Sequence, residues 1–528
     1  MGLRPQTPHD RDEVLPTQLS QALHAQHPFL PASITSDQAR LGTHPDAATS
    51  RGCIFNRQKR LSRKVPAWAV ELSGGAGSMA VMAHNFLTCD REQALLLPPD
   101  LRDWLPADHL AWFVLDVVDE IDLEAFLADY RVDGWGRAAF DPAMMVALTL
   151  YSYAIGERAS RRIEQRCRED IAFRVICANQ MPDHATIARF RVRHEQALAE
   201  LFTGVLGLCA RAGLVQVGVI AVDGTKMSAN ASKNANRTYE QIVREILDEA
   251  ATADAADDAR FGDRRGDELP GELADRSSRR ARLRAAKERL EAEVRDAQDA
   301  HAAHLKARAE LEEQRGRKLR ARKPIAPPAV VDPSARANVS DPDCRLVRSP
   351  RGFVQGYNAQ AVCTQTQVII AAELSTDSPD GRLLEPMIRA ARDELAAIGI
   401  DQPPDVVLAD GGYWNVPQID AVVMLGSQVI VNPDSSARAS RPADQRKLRD
   451  KRVHGLYAHM QRVISSELGA ALYRRRQQMI EPIFAQTKVT RRADRFQRRG
   501  LTACRSEWRL LAASHNLLKL YRHAPAAR

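Results

Sequence analysis

An all-α region followed by an α/β domain, with a long charged helical segment breaking into the α/β part, is the fold class that the sequence predicts. Three patterns carry this prediction. Apolar residues recur at helical spacing from about residue 85 to residue 213. Two short apolar runs, 217–222 and 406–409, each lead into Asp-Gly, as a buried strand ending in a turn would. Between the first strand and the next strand candidate lies the stretch 237–338, dominated by Ala, Arg, Glu, Asp and Leu.

The chain has 528 residues, and that length suggests about three or four structural units. A net charge of +8 favours a polyanionic partner. The eight cysteines are scattered without a C-x-x-C, so a zinc finger is not expected and the thiols read as those of a reduced, cytoplasmic protein. No apolar run approaches the roughly 20 residues that span a bilayer, so no membrane partner is expected.

Residues 1–84 are rich in Pro, His, Gln, Ser and Arg and end in a Gly-rich run. They read as a disordered leader, or as sequence ahead of a true start at Met79 or Met82. Residues 85–213 form the expected helical N-terminal domain. Leu110, Phe113, Val114 and Val117 share one helical face, and Asp141-Pro142 is a helix start with the Asp as cap. Arg158–Arg168 is strongly basic. A turn at 179–182 follows, and Asp183 caps a helix bearing Arg189, Arg191 and Arg193. Two short helices, a turn and a basic third helix resemble a helix-turn-helix arrangement, which makes those three arginines candidates for DNA contact; the alternative is that they solvate a bundle.

Residues 214–236 begin the α/β domain with a strand over 217–222 that ends in Asp223. The insertion 237–338 should hold two long helices, 238–251 and about 275–322, around a turn at 262–271. Leu283, Leu290, Val294, Ala297 and Leu305 give the second helix a thin apolar stripe. Pro324, Pro327, Pro328 and Pro333 make its exit extended. Residues 339–528 complete the α/β domain, with strands at 354–363, 368–374, 405–409 and 429–431, a helix over 383–398, and a basic helical C-terminus.

Asp223 and Asp410 have the same setting: an apolar strand, a terminal Asp, then glycine. Ligand-binding groups in α/β sheets collect just beyond the carboxyl ends of strands, although Asp-Gly is also a common turn dipeptide. Glu481 stands beside the apolar face marked by Ile480, Ile483 and Phe484, within a crowd of arginines. Such a Glu either points at a site or pairs with an arginine.

Asp223-Gly224-Thr225-Lys226, Ala409-Asp410-Gly411-Gly412-Tyr413, and Arg476 through Glu481-Pro482-Ile483-Phe484 to Lys488 resemble the three acidic blocks of DDE-type transposases of bacterial insertion sequences. Glu481-x6-Lys488 matches the end of the family's tyrosine–arginine–glutamate–lysine signature. The signature's arginine falls at Gln477, one position from Arg476. Residues 351–360 and the run from Arg499 to Leu518 resemble two further blocks, and the helical segment after Phe86 is similar to the family's N-terminal domain.

The resemblance implies an RNase H-like catalytic domain, a mixed sheet flanked by helices. Asp223 would end its first strand and Asp410 its fourth, with Glu481 on a following helix. It implies that these three acids hold two Mg²⁺ ions, with Mn²⁺ able to substitute. The activity implied is cleavage at the element's ends and strand transfer into target DNA. The expected partners are double-stranded DNA (terminal inverted repeats and target) and further copies of the chain assembled on it, in the cytoplasm at the nucleoid. Lys226, Arg476 and Lys488 are second-rank candidates for DNA contact, and Tyr413 and Trp414 for stacking on an unpaired base. A metal-dependent nuclease without strand transfer, and an inactive transposon-derived DNA-binding protein, are the alternatives.

Overall fold

The computed structural model describes residues 87–91, 100–133, 135–249, 279–319, 323–349, 352–433 and 455–523. The leader 1–84 and the turn expected at 262–271 lie outside the described residues. None of the described helices is long and apolar enough to cross a membrane.

The helical half begins with α1 (Leu110–Asp119) and, after a short turn of helix (Glu124–Leu127), α2 (Pro142–Ala154). Asp141 caps α2 by accepting from the Ala143 amide, with Pro142 at the first position, where no amide proton is needed. Of the thirteen residues in α2 all but Ala143 are buried. A helix apolar on every side belongs inside, not on a surface. There follow α3 (Ser160–Glu169), α4 (Ile171–Ile176), α5 (His184–Arg193) and α6 (Glu195–Arg211). Asp183 caps α5 through the Thr186 amide.

The sheet is mixed. Strands β1 (Val219–Ser228), β4 (Arg345–Ser349), β5 (Gly352–Thr364), β6 (Ile369–Ser375), β7 (Val406–Ala409) and β8 (Gln428–Val431) run in the order β4-β5-β1-β7-β8, with β6 also on β5. β5 is antiparallel to β1, β4 and β6, whereas β7 and β8 run parallel to β1. One expectation needs correction here. β1 does not end at Asp223. Its parallel partner β7 stops opposite Val222, but pairing with β5 carries β1 on to Ser228. Asp223 therefore sits mid-strand, at the step where one neighbour ends.

Two three-residue strands, β2 (Asn236–Thr238) and β3 (Arg336–Asn338), pair antiparallel and join the base of the charged segment between them. That segment contains a helix over 239–249, and then α7 (Arg279–Gln314), about 54 Å long at 1.5 Å per residue. Its apolar stripe is only half used. Leu283, Ala286 and Leu290 pack with Ile242 and Ala337 in a small separate core, whereas Ala297 and Leu305 are exposed. Further out, the proline-rich return lies along α7 instead: Gln298 donates to the carbonyls of Pro328 and Ala329, and Arg308 to that of Leu319.

Helices α8 (Leu384–Ala397), α9 (Val416–Met424), α10 (Leu456–Ser465), α11 (Glu467–Ala485) and α12 (Leu501–His523) complete the chain. α12 packs on α6, on α2 and on β6, so the N-terminal helices and the sheet share one continuous core. Its polar residues are matched individually. The Asn516 side chain accepts from the Ile369 amide and donates to the Ile369 carbonyl, both at 2.8 Å. Trp508 donates to the Gln360 carbonyl at 2.8 Å. Glu507 meets Arg158 at 2.7 Å, with both side chains buried.

Candidate active site

The parallel register pairs Val222 with Ala409, which sets Asp223 and Asp410 at neighbouring positions just past the shared part of two strands. Asp410 then caps the turn Gly411–Tyr413, accepting from the Gly412 amide at 2.8 Å. Asp223 accepts from the Gly224 amide at 2.7 Å and from an Arg476 guanidinium nitrogen at 3.0 Å. Burial, reinforced by the charge of Asp410, pushes the Asp223 carboxyl up to about 7, with Arg476 and the Gly224 amide opposing. Burial also raises Asp410, again against the pull of the Gly412 amide and Arg476.

Arg476 reaches this place because of its helical position. Leu472, Arg476, Met479, Ile480 and Ile483 form the buried face of α11, while Gln477 and Gln478 are exposed. The residue one step off the signature is thus the arginine that faces the sheet. Its other terminal nitrogen lies 4.0 Å from a Glu481 carboxylate oxygen, and its Nε has no hydrogen-bond partner among the described residues. Glu481 itself is 55% exposed. Arg476 thus spans Asp223 and Glu481, and among the described residues no three His, Cys, Asp or Glu side chains converge closely enough to hold a metal. The donor chemistry nevertheless fits a hard divalent cation: two partly buried aspartates with raised proton affinity, and a half-exposed glutamate one guanidinium away.

Strand alternation places Asp223 and Thr225 on one face of β1, and Gly224 and Lys226 on the other. On the first face, Lys488, from the turn of π-helix that follows α11, donates to the Thr225 hydroxyl and, at 2.8 Å, to the Lys226 carbonyl. On the second, Lys226 pairs with Asp380 at 3.1 Å. Asp380 also accepts from Asn358 at 2.7 Å and from Gln360 at 2.9 Å. A Cβ at Gly224 would meet the Gln360 side-chain nitrogen at 2.1 Å and would push it from its place beside Asp380.

The sequence reading missed Asp380, Asn358 and Gln360. Asn358 and Gln360 carry a signal, since two polar residues at i, i+2 within the buried part of β5 face one side together. Asp380 sits in a connecting loop and offers none.

Other candidates lie elsewhere. Tyr413 is fully buried and donates its hydroxyl to Gln360, so its ring has no face for a base. Trp414 packs edge-on against Tyr457. The candidate arginines of α5 divide three ways. Arg191 is buried, donating to the Arg158 carbonyl at 2.8 Å with its guanidinium over the Tyr153 ring, because it continues the inward face of Ile187 and Phe190. It does not reach solvent and is corrected to a packing residue. Arg193 covers the Tyr130 ring beside Asp129. Arg189 is exposed and, among the described residues, bonded within its own helix to Thr186.

Comparison with family models finds two matches. Residues 99–193 match a Transposase domain (DUF772), and residues 436–521 match a Transposase DDE domain. The first spans α1 to α5; the second contains Arg476, Glu481 and Lys488. No curated protein and no solved structure matches the chain.

Proposed function

The chain is a DDE-type transposase of an insertion-sequence family, and from that premise we propose that it cuts DNA at its element's ends and transfers the freed 3′-hydroxyl to target DNA, with Asp223, Asp410 and Glu481 as the acting carboxylates. The observation that carries the reading is the Asp223–Asp410 pair, two partly buried acids fixed side by side by strand register and raised in proton affinity. Like charges held this way favour a bound cation. An RNase H-like fold is supported by the strand order, with antiparallel β6, β5 and β1 followed by parallel β7 and β8.

Two Mg²⁺ ions, or Mn²⁺ in their place, would be held by the three acids, supplying activation of the attacking oxygen and stabilisation of the leaving one. The chain's own residues do the rest. Arg476 stands between Asp223 and Glu481 and neutralises the buried charge; Glu481, half exposed, is free to turn toward the aspartates once that contact opens. Asp380 holds Lys226, and Thr225 holds Lys488, one cation on each side of the strand that bears Asp223, where a phosphodiester needs them. Exposed Arg189 on the N-terminal helices is suited to the terminal repeats. The partners in this reading are double-stranded DNA and further copies of the chain assembled on it, in the cytoplasm at the nucleoid.

The test uses plasmid DNA carrying the element's ends, with Mg²⁺. Asp223→Asn, Asp410→Asn and Glu481→Gln each abolish cleavage and leave end binding largely intact, while Asp405→Asn, at the opening of β7, stays active. Joined products separate transposition from simple hydrolysis. Near wild-type cleavage by Glu481→Gln would place the third carboxylate elsewhere.

A further inference from the structure

Beyond Asp223, β1 runs to Ser228, and there it borders a polar cavity of about 580 Å³. Lys233, Arg495 and Arg499 line it together with the hydroxyl residues Ser228, Ser232 and Ser340, and no carboxylate does. Several surface arginines elsewhere pair with acids, as Arg505 does with Glu373, Arg389 with Glu385 and Arg168 with Glu164. Arg499 instead donates to the Asn230 carbonyl at 3.0 Å and Lys233 to the Phe353 carbonyl. The Arg495 side chain is exposed, with no ion pair among the described residues. Burial lowers the proton affinity of Lys488, and the charge of Asp494, the acid next to Arg495 in sequence, opposes that shift.

The platform beneath these cations is rigid. The Ser228 amide donates to the Asp494 carbonyl at 3.1 Å, and the Phe496 amide donates to the Ser228 carbonyl at 2.9 Å. Phe496 is buried against Tyr357, and Arg158 donates to the carbonyls of Arg492 and Arg495. Cations on an ordered backbone, with hydroxyl donors and no competing acid, are the chemistry that receives phosphate oxygens.

Resting on the transposase reading, we propose that this cavity is a phosphate-backbone site for the DNA duplex flanking the cut. Ser228 lies five residues beyond Asp223 on one strand, about 17 Å at roughly 3.3 Å per residue. For a duplex whose axis runs along β1, that distance covers about five base-pair steps at an axial rise of about 3.4 Å each. The site thus grips the backbone about five nucleotides from the scissile phosphate, without reading sequence, and Lys488 lies between the two.

The test is the salt dependence of binding of the full chain to a fluorescent 30-base-pair duplex of arbitrary sequence. Every phosphate that the protein no longer neutralises flattens the log–log slope by about 0.9, so Arg495→Ala/Arg499→Ala should flatten it by about 1.8. Arg495→Lys/Arg499→Lys should keep the slope, and Arg389→Ala, at a remote paired arginine, should leave it unchanged. Thermal melting checks that each variant folds. An unchanged slope in the alanine pair, with wild-type cleavage intact, overturns this site and leaves the transposase reading standing. Loss of cleavage in Asp223→Asn with the full slope retained supports both. If the alanine pair loses only a thermal shift produced by inorganic phosphate, and no duplex affinity, the cavity holds a small anion and the proposal is wrong.

Discussion

Glu507 and Arg158 join the last helix to the N-terminal bundle, and the geometry fixes what breaking that pair should cost. Their side chains are 0% and 5% exposed and meet at 2.7 Å. Glu507 also accepts from the amides of Gln497 and Arg498 at 2.9 and 3.1 Å, and Arg158 donates to the carbonyls of Arg495 and Arg492 at 2.9 and 3.1 Å. Glu507→Gln keeps the shape but leaves the Arg158 charge buried and uncompensated, a loss of about 3–5 kcal/mol. At a urea slope of about 3 kcal/mol per M this lowers the midpoint by about 1 M or more. Arg158→Met strands the Glu507 charge in the same way. The double variant Arg158→Met/Glu507→Leu removes both charges yet leaves two amides and two carbonyls unpaired. It should therefore remain destabilised, but by less than the sum of Arg158→Met and Glu507→Leu, with a coupling of about 1–3 kcal/mol in the double-mutant cycle. Urea unfolding followed by circular dichroism measures all of these. Additive losses, or a Glu507→Gln cost below about 1 kcal/mol, would show that the pair is not the clamp its geometry describes.

Asp380→Ala releases Lys226, Asn358 and Gln360 together and should weaken Mg²⁺-dependent cleavage about 10- to 100-fold, as loss of an outer-shell partner does; titrating Mg²⁺ in the cleavage assay reads the shift. Without divalent metal, stability should fall as pH rises from about 4 to about 7. The folded state holds the Asp223 proton more tightly than the unfolded chain, so this contribution is full below the ordinary carboxylate range and is lost through a folded-state value of about 7. Thermal melts of wild type against Asp223→Asn measure it, and an identical pH profile for the two counts against the shift. Arg189→Ala should flatten the salt slope of end binding by about 0.9, whereas Arg191→Ala should leave the slope alone and cost about 1–3 kcal/mol of stability, because it unpairs the Arg158 carbonyl.

The parts of the fold legible in sequence are those where one physical signal dominates. Val406–Ala409 is an uninterrupted apolar run on a doubly covered strand, and Asp141-Pro142 combines a cap with a fixed φ; both fall where periodicity and capping put them. The extension of β1 was hidden because Gly224, Thr225 and Lys226 are chosen for contacts with Gln360, Lys488 and Asp380, not for an apolar face. β2 and β3 are three residues each, too short for any period to register. Arg191 had a readable signal: Ile187, Phe190, Arg191 and His194 recur at i, i+3, i+4 and i+7, and all four are buried. A charged residue on an apolar helical stripe belongs to the packing before it belongs to a ligand. In the site, register alone assembles Asp223 with Asp410, while the reach of Arg476 and the arrival of Asp380 depend on packing between segments far apart in sequence.

The Asn516 carboxamide bonded to both polar groups of Ile369 has a consequence for how the molecule behaves in a crowded solution. β6 is an outer strand where it flanks β5, and an open outer strand invites another chain to add to it. By taking the place of a neighbouring residue's amide and carbonyl at the start of β6, one side chain from α12 closes that position to strand addition. The helix that fills the core thereby also caps the sheet against aggregation.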